Sequence, residues 1–224
     1  MHVYSGVMDV DWYRELDDGG IGQRTGMSDI SGSTSWRYDH SGRLNLEQKS
    51  ITGSGTYTTR WGYNAGGQLA WMQYPGASQE MVTYSYHPQM ALNGVTGSST
   101  YVQSTRYDAA GRMTQIVRGP GSLTSSYSYY GWQEDVLVQG EDVFQGARLK
   151  QMTTYSNPLN PNLQDLSYLY DEAGNVLRIL DAANSNQKQC FEYDDLERLT
   201  QATTYNNAIL GCTVQVGNGN YHQN

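Results

Sequence analysis

Tyrosine, aspartate and arginine recur at one spacing along this 224-residue chain, and together they offer an acid, a cation and an aromatic ring. Tyr38-Asp39-His40-Ser41-Gly42-Arg43-Leu44 returns as Tyr107-Asp108-Ala109-Ala110-Gly111-Arg112-Met113 and as Tyr193-Asp194-Asp195-Leu196-Glu197-Arg198-Leu199. Partial copies are Tyr63-Asn64-Ala65-Gly66-Gly67-Gln68-Leu69 and Tyr170-Asp171-Glu172-Ala173-Gly174-Asn175-Val176. Paired acids such as Asp194/Asp195 and Asp17/Asp18 are the groups a glycosidase uses as acid and nucleophile. Recurrence with the motif assigns Asp194 and its equivalents to turn chemistry instead. The repeated acid and arginine therefore read as structural groups, and no catalytic residue is expected.

Other reactive residues lead no further. The four histidines, at 2, 40, 87 and 222, share no motif, and His40 and His87 follow turn tyrosines. There is no nucleophile elbow, P-loop or zinc-protease helix motif. Gly20-Ile21-Gly22-Gln23-Arg24-Thr25-Gly26 is rich in glycine, but it follows no apolar strand and opens no helical pattern. Asp9-Val10-Asp11 begins like a calcium loop, yet Tyr13 and Arg14 stand where a ligand and a glycine belong. No metal or cofactor is expected. Cys190 and Cys212 fit no metal spacing and read as free thiols; their 22-residue separation leaves a disulfide between neighbouring rungs as the alternative.

The elements that must hold the motif follow from alternation. In Thr56-Tyr57-Thr58-Thr59-Arg60-Trp61-Gly62-Tyr63, residues 57, 59, 61 and 63 share one face and the rest the other, which is the period of a strand. The pattern aromatic, any residue, tyrosine recurs at Trp36/Tyr38, Trp61/Tyr63, Tyr84/Tyr86, Tyr127/Tyr129, Tyr168/Tyr170 and Phe191/Tyr193, and predicts two aromatic ladders. Asp or Asn followed by glycine predicts a turn at 39–42, 64–67, 108–111 and 171–174. Arg43, Arg112 and Arg198 lie four residues beyond their aspartates and brace the turns. Second strands are expected over 44–51, 69–74, 113–118, 176–180 and 199–205. The opposite face, with Arg37, Arg60, Ser85, Arg106, Ser128 and Glu192, is expected to meet water.

The lead tyrosines 38, 63, 86, 107, 129, 170 and 193 are separated by 25, 23, 21, 22, 41 and 23 residues. A fixed period of this length marks stacked supersecondary units. The gap of 41 predicts one weak copy hidden between Tyr130 and Leu166. The fold class is therefore all-β, a repeat array of antiparallel β-hairpins in a curved or spiralling sheet. Residues 1–30 read as a weakly repeat-like lead-in segment and 31–224 as the array.

Composition agrees with this class. Nineteen tyrosines and 25 glycines accompany only 16% charged residues, a mixture that favours strands and turns. A net charge of −8 argues against nucleic acid as partner. No apolar run reaches the roughly 18–20 residues of a membrane helix, and the N-terminal stretch has no apolar signal core.

Tyr-Asp-x-x-Gly-Arg-Leu at a period near 22 resembles the YD repeat of Rhs proteins, of the BC components of bacterial insecticidal toxin complexes, and of teneurins. The resemblance extends from about Ser31 to the C-terminus; the copies at Tyr86 and Tyr129 depart from it. It implies a long β-sheet that spirals into a hollow shell around a C-terminal toxin, or an adhesion ectodomain. The Asp-Pro-rich self-cleavage segment that closes bacterial repeats is not found, so the chain is expected to be a truncated structural segment of a larger protein. Its expected partners are further repeats, other copies of itself, and an encapsulated toxin polypeptide. Its expected location is secreted or at the bacterial cell surface, reached without a visible signal peptide. The alternative is an adhesion or carbohydrate-binding module that uses Trp12, Trp71 and Trp132. A short ladder with unpaired edges is also expected to associate end to end.

Overall fold

A computed structural model describes residues 21–119, 123–138, 141–156 and 163–206 in full, and the backbone alone of 3–4 and 8–12. The described residues hold nineteen β-strands and no helix. They fall into two compact units, 1–103 and 104–224.

In the first unit the strands are β1 (Val3–Tyr4), β2 (Met8–Trp12), β3 (Arg24–Asp29), β4 (Gly32–Tyr38), β5 (Leu44–Ile51), β6 (Gly55–Tyr63), β7 (Leu69–Gln73), β8 (Met81–Tyr86) and β9 (Leu92–Thr96). Each pairs antiparallel with the next. The unit boundary falls inside β10 (Thr100–Tyr107), whose Thr100 and Val102 pair with β9. In the second unit β11 (Met113–Arg118), β12 (Leu123–Tyr129), β15 (Leu149–Tyr155), β16 (Gln164–Tyr170), β17 (Val176–Asp181), β18 (Gln187–Tyr193) and β19 (Leu199–Tyr205) form the same meander. A separate two-stranded hairpin, β13 (Asp135–Val138) and β14 (Glu141–Phe144), stands between β12 and β15 in sequence.

The hairpins share one irregularity. Arg37 faces Leu46, yet Tyr38 faces Leu44, which leaves Asn45 as an extra residue on the second strand. The same shift falls at Tyr63, Tyr86, Tyr129, Tyr170 and Tyr193. A bulge adds local twist and re-aims the tyrosine at the end of its strand. The shift also occurs at Trp12, which faces Arg24. By register, β2 and β3 are thus a further repeat led by tryptophan, and pairing runs through the stretch read as a lead-in. Eleven residues, 13–23, separate Trp12 from Arg24 where five, 39–43, separate Tyr38 from Leu44, and the longer connection hid the repeat.

The 41-residue gap also has a different cause from the expected hidden copy. Strands β12 and β15 are one ordinary repeat, with Tyr129 facing Leu149. Nineteen residues, 130–148, fill its turn, and the β13–β14 hairpin is the insertion. The turn still closes in the usual place, because the Tyr130 amide donates to the Arg148 carbonyl at 2.9 Å, as the Asp39 amide does to Arg43 at 2.8 Å.

The aromatic ladders are not aromatic on aromatic. Each leading strand is separated from the next by a second strand, so equivalent rings stand two strand spacings apart, about 9.5 Å, beyond the reach of ring pairs. The row through Trp61 continues instead into Met72 and Val82, and Tyr84 faces Val95. Trp71 lies on Gly62, where an added Cβ would sit 2.1 Å from the indole nitrogen, so only glycine fits. On the opposite face Arg37, Arg60, Ser85, Arg106 and Ser128 are exposed as expected, while Glu192 is half-buried.

The buried apolar cluster is Val138, Val143, Leu169 and Leu177. It joins the inserted hairpin to β16 and β17, with the bulge residue Leu177 turned into it. Fully buried Gln145 fastens the insertion. Its amide nitrogen donates to the Tyr170 carbonyl at 3.0 Å, and its amide oxygen accepts the Tyr170 N–H at 3.1 Å. Cys190, 9% exposed, is disulfide-bonded and not a free thiol. The chain's other cysteine, Cys212, lies outside the described residues. Gln145→Leu removes both side-chain bonds to the buried Tyr170 backbone, and should cost about 1–3 kcal/mol in urea unfolding. An unchanged midpoint would show that the amide does not hold the insertion.

Candidate functional site

The repeated turn is built from its aspartate. The Asp39 Oδ1 accepts the amides of Ser41 at 2.9 Å and Arg43 at 3.0 Å, while Oδ2 takes the Arg43 Nε at 2.7 Å and Nη2 at 2.6 Å. Asp108 binds Ala110, Arg112 and the Arg112 guanidinium in the same way, and Asp194 binds Leu196, Arg198 and its guanidinium. Where arginine is absent, amides substitute. Asn175 donates to the Asp171 Oδ2 at 2.9 Å, and the Asn64 amide nitrogen donates to the Gln68 Oε1 at 3.2 Å.

The residue before the arginine position has a left-handed backbone. Gly42, Gly67, Gly111 and Gly174 have φ of 74°, 79°, 79° and 102°. Met90, Ala147 and Glu197 adopt 67°, 58° and 60° at the same position without glycine's freedom. Copies without this glycine therefore keep the geometry and carry the strain.

Hydrogen bonds to the ionised carboxylate hold Asp39, Asp108 and Asp194 below the usual aspartate range. The guanidinium hydrogen bond is the largest cause at Asp39 and Asp194, and the Arg112 amide at Asp108. Burial pushes the hydroxyls of Tyr63, Tyr129, Tyr170 and Tyr193 upward.

The tyrosine and arginine also reach beyond their own turn. The Tyr63 hydroxyl donates to the Leu44 carbonyl at 2.8 Å, across to the preceding hairpin. Tyr86 does the same to Leu69 at 2.7 Å, Tyr129 to Met113 at 2.8 Å, Tyr170 to Leu149 at 3.0 Å and Tyr193 to Val176 at 3.1 Å. Tyr38 donates to Arg24 at 2.8 Å, which makes β3 the preceding second strand. The arginine reaches forward: the guanidinium of Arg43 lies 4.5 Å from the Tyr63 ring centre, and that of Arg112 lies 4.4 Å from Tyr129. Arg148 takes the same role toward Tyr170 at 5.6 Å. Six tyrosines thus reach back to the preceding hairpin, and three arginines reach forward to the next. Pairing of the Asp and Arg within a turn was foreseeable at four-residue spacing; the links across 14–22 residues were not.

The remaining candidates are scattered. His40 is exposed at a turn, and His87 sits in the β8–β9 turn, its amide donating to the Ala91 carbonyl at 2.8 Å. His2, His222, Asp17 and Asp18 lie outside the described residues, as do the side chains of Asp9, Asp11 and Trp12. Trp132 is 69% exposed with Arg112 near its ring, whereas Trp71 is occupied on Gly62. Among the described residues no cluster of three or more His, Cys, Asp or Glu could hold a metal, and no helix is long and apolar enough to cross a membrane.

No family profile and no curated relative matches the sequence. Solved structures do match the fold. A TcdB2-TccC3-Cdc42 crystal structure aligns over 88% of this chain with a TM-score of 0.71 and 21% identity. A TcdB2-TccC3 crystal structure aligns over 88% with a TM-score of 0.70 and 20% identity, and a Photorhabdus luminescens Tc holotoxin pore over 88% with 0.68 and 22%. The fold is RHS-like. The chain spans only 10%, 11% and 10% of the lengths of those toxin-complex chains.

Two outcomes test the wiring. Tyr129→Phe removes one hydroxyl donor and should cost about 0.5–1.5 kcal/mol in urea unfolding with an unchanged slope; no loss would show that water replaces the bond at no cost. The second concerns acid. Aspartates held below their ordinary value of 3.8 stabilise the fold fully above that pH and lose the contribution as pH falls through the lower folded value. Asp108→Asn should therefore flatten the decline in melting temperature below about pH 4. A mutant curve parallel to the wild type would contradict this.

Proposed function

We propose that this chain is a YD-repeat wall segment of a larger Rhs- or toxin-complex-like protein, non-enzymatic, with the repeats enclosing or displaying a polypeptide. The observation that carries the reading is the two-way wiring of the repeats. The tyrosine reaches back and the arginine forward, so each motif's chemistry is consumed in extending the sheet. The likeness to TcdB2-TccC3 chains supports a place in a much longer wall, since those chains are about ten times the aligned length. On this reading the protein acts outside the bacterial cytoplasm, and its partners are neighbouring repeats and the enclosed chain.

Nearest-neighbour architectures need their open edges covered. The segment expressed alone should therefore show a mass by light scattering that rises with concentration, and a monomer across the whole series would count against a wall segment. Cryo-electron microscopy of the full gene product should place these repeats in a closed wall around density for another segment. Repeats found as an open appendage with nothing enclosed would overturn the reading.

A further inference from the structure

An open cleft beside β6 stands apart from the repeated turns. Strand β6 pairs with β5 from Gly55 to Arg60, but with β7 only from Arg60 to Tyr63. Beyond Gln73 the chain leaves the sheet in a loop, where the Tyr74 amide donates to the Glu80 carbonyl at 2.9 Å. On the side facing β7 the first half of β6 therefore has no strand beside it, and a cleft of about 240 Å³ opens between it and the loop.

Six residues decide what the cleft can take. Tyr57 and Tyr74 are 38% and 42% exposed, which offers ring surface to a ligand. Thr56, Thr58 and Gln73 supply polar groups whose own bonds are long. The Thr56 hydroxyl donates to Ser50, Gln48 donates to the Thr58 hydroxyl, and Gln73 donates to the Gln79 carbonyl, each at 3.4 Å. Such bonds exchange readily for ligand hydroxyls. Arg60 is the cleft's cation, exposed and directly across from Gln73, and the lining has no carboxylate. Arg43, Arg112 and Arg198 each grip an aspartate, whereas Arg60 engages no carboxylate, carbonyl or ring among the described residues.

We propose that this cleft binds the terminal carboxylated pyranose of a glycan. The tyrosines offer ring faces to the sugar's C–H face, Thr56, Thr58 and Gln73 meet its hydroxyls, and Arg60 pairs with its carboxylate. A guanidinium and a carboxylate match as a two-bond fork, which makes charge the basis of selection. The volume suits one sugar ring and is too short for an added peptide strand, which needs about 3.3 Å per residue over several residues.

The test titrates the whole chain with methyl β-D-glucuronide and a methyl sialoside, with methyl β-D-glucoside as the uncharged control, followed by NMR. At least one acid sugar should shift the Tyr57, Tyr74 and Arg60 signals saturably, with a Kd on the order of 1 mM. The glucoside should bind at least about tenfold more weakly, a ratio equivalent to about 1.4 kcal/mol. Arg60→Ala should abolish the preference for acid, and Tyr74→Ala should weaken all three sugars. Both residues are exposed, so melting temperatures of the variants check that the fold is kept. No saturable shift with either acid sugar, or an acid preference that survives Arg60→Ala, would overturn the proposal. Saturable binding of an extended peptide at the same signals, with no sugar response, would also overturn it.

Discussion

One contact organises the rest of this structure: the hydroxyls of Tyr38, Tyr63, Tyr86, Tyr129, Tyr170 and Tyr193 each donate to a carbonyl at the start of the preceding second strand. An antiparallel meander joins neighbouring strands through backbone hydrogen bonds alone, which specify pairing but leave hairpins free to twist against one another. The tyrosine adds a side-chain link at the same point in six of the repeats. The bulge beside it is what places the ring there, and the turn that follows is what allows the bulge. Backbone shape and side-chain chemistry thus depend on the same five or six residues.

The arginine completes the arrangement. Its guanidinium is held by the aspartate of its own turn and laid on the tyrosine of the next repeat. An exposed ion pair contributes little by itself, and an exposed cation–π contact about 0.5–1 kcal/mol. Their combination matters more, because fixing the guanidinium on the aspartate removes freedom it would otherwise lose on the ring. Stability in such an array accrues as small terms repeated along the chain. The apolar core among the described residues is correspondingly sparse, and the buried cluster there lies where the inserted hairpin folds over β16 and β17.

Much of this was legible in the residues. Alternation around Tyr63 defined the strands, and 44–51, 113–118 and 199–205 coincide with β5, β11 and β19. The Asp-to-Arg brace was readable because it closes over four residues. What the sequence concealed was non-local or variable in length. The Trp12 repeat was masked by its long connection, the insertion at Tyr130 imitated a missing period, and Cys190 looked free. Expected stacking of equivalent rings from one leading strand to the next failed because an intervening strand sets ring spacing, which side-chain pattern alone does not reveal. The cleft at β6 arises where β7 stops pairing early, a property of register and not of any motif.

The measurement that tests the account most directly is a double-mutant cycle on Arg43 and Tyr63, using Arg43→Gln and Tyr63→Leu in urea unfolding. Coupling between successive repeats through this pair predicts an interaction energy of at least about 0.5 kcal/mol. Strict additivity, within about 0.3 kcal/mol, would contradict the claim that the motif ties each repeat to its neighbour.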